Sequence, residues 1–79
     1  MKIGTVMGEV QLEKRLPGYE NVRFCQVRLT QEVVVAADLL STRQGDLVLL
    51  TQGKAARAYS MEHPCDALIL GILENRKNG

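Results

Sequence analysis

The sequence predicts an all-β chain, a small five-stranded OB-like β-barrel with one short helix. Glycine and proline cut the chain into short pieces, and within them apolar residues recur at alternate positions or as short runs rather than at helical spacing. Five such pieces and a single stretch of helix formers match a closed or nearly closed small barrel.

The first strand is expected over residues 3–12, where Val6, Val10 and Leu12 share one parity and Gln11 and Glu13 the other. Gly4 and Gly8 within it mark bends or a bulge, as the corners of a small barrel require. Leu16-Pro17-Gly18-Tyr19 reads as a turn, because proline fixes φ and glycine accepts a positive one. Residues 23–29 alternate, with Cys25, Val27 and Leu29 on one parity and Gln26 and Arg28 on the other, Arg23 and Phe24 being the exceptions. Thr30-Gln31 is a tight connection into a β-branched strand over 32–37. Residues 46–51 and 67–73 supply the last two strands, and 54–59, rich in alanine after Gly53, supply one or two helical turns. One domain over 1–74 is expected, followed by a polar tail over 75–79.

Three runs are apolar on both parities: 33–37, 47–50 and 67–73. Such a strand must be covered on both faces. In 79 residues the barrel interior covers one face, and little chain remains for the other. Outward apolar side chains left bare would form a patch that monomers avoid; a homo-oligomer is the simplest resolution, and a domain lacking its fusion partner is the rival one. Val33, Val35, Leu47 and Leu49 are the candidate apolar interface residues.

Composition narrows the function. Ten Lys and Arg balance nine Asp and Glu, both signs are scattered, and Tyr19, Phe24 and Tyr59 are the only aromatics. That lacks both the basic face and the stacking platform of a nucleic-acid binder, so no nucleic acid is expected as a partner. No apolar stretch approaches the roughly 20 residues of a membrane span, and residues 1–8 lack the apolar region of a signal peptide; a cytoplasmic protein with no membrane partner is expected. Cys25 and Cys65 show no metal-ligand spacing and read as small apolar side chains in a reducing compartment. His63-Pro64-Cys65 is the one cluster a nucleophile or metal could use. Zinc needs three or four protein ligands, no further His or Cys lies near, and a structural loop is the reading. Gly53-Lys54 precedes a helix without the second glycine or the Ser/Thr of a phosphate loop. No cofactor, metal or enzymatic activity is expected.

Several segments, in order, resemble the EutN/CcmL family of pentameric bacterial microcompartment vertex proteins. They are the opening Met1-Lys2-Ile3-Gly4-Thr5-Val6-Met7-Gly8-Glu9-Val10, then Leu16-Pro17-Gly18, then Val35-Ala36-Ala37-Asp38. Gly45-Asp46-Leu47-Val48-Leu49 and Gly53-Lys54-Ala55-Ala56-Arg57 follow. The last is Pro64-Cys65-Asp66-Ala67-Leu68-Ile69-Leu70-Gly71-Ile72-Leu73-Glu74. Two departures stand out. The connection between Val27 and Val33 is short, and the glycine-rich loop usual after the aspartate is replaced by Leu39-Leu40-Ser41-Thr42-Arg43-Gln44, with only Gly45-Asp46 kept.

The resemblance implies a cyclic homopentamer, an OB-like barrel in each subunit, and hexameric shell proteins as partners in a microcompartment shell. The pentamer would be the corner piece of a carboxysome or metabolosome, supplying the curvature that flat hexagonal layers lack. It also implies that Ser41, Thr42 and Arg43 are candidates to line the opening of the ring, where a ring of arginines would favour anions. Asp38, Asp46 and Arg57 are candidates for ordering loops or the interface. The alternative function is an OB-fold-type binding module for nucleic acid or a small ligand, which would need a basic or aromatic face.

Overall fold

The computed structural model describes residues 1–59 and 65–74. Five strands and one helix follow in the order β1 (Lys2–Glu9), β2 (Arg23–Arg28), β3 (Val33–Asp38), β4 (Leu47–Gln52), α1 (Lys54–Tyr59) and β5 (Ala67–Ile72). The strands close into a barrel in the order β1-β2-β3-β5-β4, with β4 returning to β1. All pairs are antiparallel except β3 with β5, whose parallel pairing is made possible by the β4–α1 excursion between them. Closure leaves no strand with an unpaired edge.

Alternation decides which side chains fill the interior. Val6, Cys25, Val27, Leu29, Ala36, Val48, Leu50, Ala67 and Ile69 form one buried cluster, with Val34 packed against it. Gly4 is required by close approach: a Cβ there would lie 2.6 Å from Val27 Cγ1 and 2.8 Å from the Arg28 carbonyl oxygen. The bulge expected in the first strand falls between Val6 and Gly8, where the register against β2 shifts. A second irregularity lies between Leu49 and Leu50, opposite the Gly71–Ile69 step of β5.

The strand bounds differ from the sequence expectation most at β1, which ends at Glu9 rather than at residue 12. The Val10 amide still donates to the Phe24 carbonyl (2.8 Å), but the chain then leaves the sheet and Leu12 is exposed. It enters a loop whose turn is built as expected. The Tyr19 amide donates to the Leu16 carbonyl across Pro17-Gly18, with Gly18 at φ 96°. Arg15 ties this loop down, its Nη1 donating to the Tyr19 and Val22 carbonyls.

A second apolar cluster lies outside the barrel. Val22, Ala37, Ala56 and Leu68 are buried together, with Tyr19, Phe24, Cys65 and Leu70 packed against them. Phe24, Ala37 and Leu68 are register neighbours across β2, β3 and β5, and Ala56 brings α1 down on them. The expectation that too little chain remained to cover the outward face is therefore corrected for this sector. Six helical residues and the 10–22 loop suffice to bury Ala37 and Leu68. Among the described residues, no helix is long and apolar enough to cross a membrane. The tail expected over 75–79 lies outside the described residues.

Candidate functional site

Elsewhere the outward face is bare. Val33 and Val35 on β3 are 50% and 49% exposed, Leu47 on β4 is 43% exposed, and Leu49 is half-buried. Ile3 on β1, 56% exposed, joins them because it pairs with Leu49, just as Thr5 pairs with Leu47. Sequence reasoning did not single out Ile3, although its parity, opposite to that of Val6, carries the signal. The bare side chains on β1, β3 and β4 form two groups, and Ile72 at the end of β5 is also exposed, at 47%. One is Ile3, Leu47 and Leu49 at the β1/β4 seam, and the other is Val33 and Val35 on β3. Leu47, Thr5, Arg28 and Val33 stand in one register row across β4, β1, β2 and β3, so Thr5 and Arg28 separate the groups.

At the end of β3 the chain builds a polar knot around Asp38, whose carboxylate is buried. Its Oδ1 accepts from the Leu40 amide (2.9 Å), and its Oδ2 accepts from the Thr42 amide and the Thr42 hydroxyl (2.8 Å each). The Cys25 thiol donates to the same Oδ2 at 3.4 Å, and Arg23 Nε lies 3.2 Å from it as an ion pair. Arg23 also donates from Nη2 to the Thr42 carbonyl (2.7 Å) and contacts Glu9 at 3.6 Å. Burial pushes the Asp38 carboxyl toward its neutral form. The Leu40 and Thr42 amides, the Thr42 hydroxyl and the Cys25 thiol more than offset this, so its pKa lies below the ordinary value. The knot holds the Leu39–Arg43 turn, including Ser41 at φ 56°, in one conformation.

That geometry sorts the loop candidates. Thr42 is 1% exposed, with its hydroxyl committed to Asp38, so it faces the interior of its own subunit and cannot line an opening. Ser41 and Arg43 are exposed, as are Leu39 and Leu40, which the sequence reading passed over. Asp46 closes the other end of the loop. Its Oδ2 accepts from the Arg43 amide (2.8 Å), its own amide donates to the Arg43 carbonyl, and its carbonyl accepts from Val6. Arg57 is exposed on α1 and makes no ion pair among the described residues.

Neither Cys25 nor Cys65 is in a disulfide. His63 lies outside the described residues, while Cys65 packs against the outer apolar cluster. Among the described residues, no group of three His, Cys, Asp or Glu side chains could hold a metal ion.

Comparison of the sequence with curated proteins gave no match. The family model described as ethanolamine utilisation protein EutN/carboxysome matches residues 1–74. Among solved structures, CcmL of Gloeobacter violaceus superposes with a TM-score of 0.83 at 31% identity, over 98% of this chain and 89% of that one. The pentameric shell protein MSM0273 from the RMM microcompartment is 31% identical with a TM-score of 0.80, over 92% of this chain and all of that one. EutN from Escherichia coli is 26% identical with a TM-score of 0.80, over the whole of this chain and 91% of that one. A match over nearly the whole chain, on the closed barrel described above, establishes that the chain belongs to the EutN/CcmL family.

Proposed function

We propose that five copies of this chain close into a ring that serves as the corner piece of a bacterial microcompartment shell. The observation that carries this reading is the pair of bare apolar groups on a barrel that has no free strand edge. Strand addition is unavailable to such a barrel, so association must proceed through outward side chains. Each Val or Leu fully removed from water contributes about 1.5–3 kcal/mol, which a small domain needs. Family membership supports the size of the ring, since MSM0273 is described as a pentameric shell protein.

The mechanism is geometric. A layer of hexagonal tiles lies flat, and five-sided units introduced at its corners supply the curvature that closes it. Hexameric shell proteins are thus the proposed partners, meeting the rim of the ring, and the shell is the proposed location. The chain has no catalytic part in this role. Its work is to hold a rigid shape, to which the Asp38 knot contributes by ordering the 39–43 loop. Ser41 and Arg43 are the exposed side chains of that loop proposed to line an opening in the ring.

Native mass of the purified chain tests the reading. A uniform species at five times the 8.8 kDa chain mass is expected. A clean monomer at every accessible concentration refutes it. Co-expression with hexamer-forming shell proteins, viewed by electron microscopy, is expected to give closed particles with the chain and open sheets or tubes without it.

A further inference from the structure

We propose that the pocket between the 10–22 loop and β2 is a docking site for another protein, taking one large apolar side chain that is flanked by carboxylates. The pocket has a volume of about 200 Å³ and is lined by Leu12, Lys14, Arg15, Leu16, Tyr19 and Phe24. None of the six belongs to the bare groups at the β1/β4 seam and on β3, and the pocket is complete within a single subunit.

Its floor is apolar and already in place. Tyr19 and Phe24 are half-buried because they pack against the outer cluster of Val22, Ala37, Ala56 and Leu68. Leu12 and Leu16 stand over them at 43% and 72% exposed. The loop that carries the leucines is tied to itself. Arg15 Nη1 donates to the Tyr19 and Val22 carbonyls, and the Tyr19 amide donates to the Leu16 carbonyl. A partner therefore meets an ordered surface and loses little free energy to arranging it.

Size and charge fix the occupant. Sites for whole small molecules span roughly 300–1,000 Å³, so this smaller pocket with an exposed leucine at its edge suits a single side chain offered by a larger surface. The edge is also cationic. Lys14 is exposed, Arg15 is held in place by its carbonyl partners, and neither is ion-paired among the described residues. The loop's own acids do not neutralise it. Glu20 accepts from the Gly18 amide with both carboxylate oxygens (3.1 and 3.0 Å), and Glu13 does not line the pocket. A segment with leucine or phenylalanine beside aspartate or glutamate matches floor and edge together, whereas a basic segment would meet like charge.

The test titrates the isotope-labelled full chain with short acetylated, amidated peptides and follows its backbone amides by NMR. One peptide has phenylalanine between aspartates, and a second has lysines in place of the aspartates. The acidic peptide is expected to move amides over residues 12–24, with a dissociation constant of roughly 1 mM, as suits one anchoring side chain. Alanine in place of its phenylalanine should weaken binding about tenfold or more. Lys14→Glu should weaken the acidic peptide roughly threefold and strengthen the basic one. Leu16→Ser, at an exposed position, should reduce binding with thermal unfolding unchanged. No amide shifts at tenfold that concentration, shifts confined to the seam or β3, or equal affinity for the two peptides each overturn the proposal. A monomeric wild type that binds the acidic peptide refutes the pentamer and leaves this site standing.

Discussion

Two sectors of the barrel's outer face carry the same chemistry and meet different fates. Over β2, β3 and β5 at one end, Phe24, Ala37 and Leu68 lie under α1 and the loop that follows β1. Along the lower part of β3 and the β1/β4 seam, Val33, Val35, Ile3 and Leu47 stay open to solvent. Ala37 and Leu68 in one set and Val33, Val35 and Leu47 in the other sit on strands apolar on both faces, so the difference is not in those strands. It lies in the reach of α1 and the 10–22 loop, which cover one sector. The covered sector stabilises each subunit, whereas the bare sector can only stabilise an assembly.

Truncating one residue from each sector separates these roles. Leu68→Ala leaves a cavity between α1 and the barrel and is expected to cost about 3 kcal/mol. Chemical denaturation should show that loss at every protein concentration. Val35→Ala is expected to leave the stability of the isolated subunit within about 0.5 kcal/mol, because a half-exposed side chain loses little on truncation. Its effect appears instead as a fall in the concentration-dependent part of the melting temperature, which reports association. Equal losses from the two variants at all concentrations would contradict the distinction.

How far the sequence reveals the two sectors is uneven. The strands themselves are legible, because Cys25, Val27 and Leu29 alternate and proline and glycine mark the turns. The α1 helix is legible from its alanines. The end of β1 is not, since Val10 and Leu12 continue the parity of Val6 while the backbone, having made one more bond at Val10, turns away. Which outward residues are covered is not local information. Val35 and Ala37 share a strand and a parity, and only the later arrival of Ala56 tells them apart. The inward turn of Thr42 is hidden for a similar reason. A Ser-Thr-Arg stretch reads as exposed loop until Asp38, four residues earlier, is seen to bind both the amide and the hydroxyl of the threonine.

The Asp38 knot stands at the end of the covered sector, and its loss is the next largest expected effect. Asp38→Asn cannot satisfy both oxygens' donors at once. If its amide nitrogen replaces Oδ2, it faces the Thr42 amide, a donor against a donor. The expected cost is about 2 kcal/mol. The carboxyl is held below its ordinary pKa, so its contribution is complete above the unfolded value and disappears as pH falls through the folded one. Wild-type stability is therefore expected to decline below about pH 4, the ordinary carboxylate range. Part of that decline should be missing from the asparagine variant. Parallel pH profiles for the two proteins would show that Asp38 is not the group responsible.

The smallest effect is expected where the bare sector carries charge. Lys2 Nζ and Glu32 Oε2 lie 3.7 Å apart, joining the start of β1 to the β2–β3 turn, with both side chains about half exposed. Water and salt screen such a pair, and two long side chains lose freedom in making it, so Glu32→Gln is expected to change subunit stability by less than about 0.5 kcal/mol. Its effect on native mass discriminates more sharply. If apolar contact holds the ring, removing this charge leaves the assembled species unchanged at low and high salt. A Glu32→Gln chain that dissociates, or a wild-type ring that falls apart in high salt, would shift the work of holding the ring from the valines, leucines and Ile3 to the charges beside them. The reverse dependence, with salt strengthening the ring, is what burial of apolar surface predicts, because excluded salts such as sulfate raise the cost of leaving that surface in water.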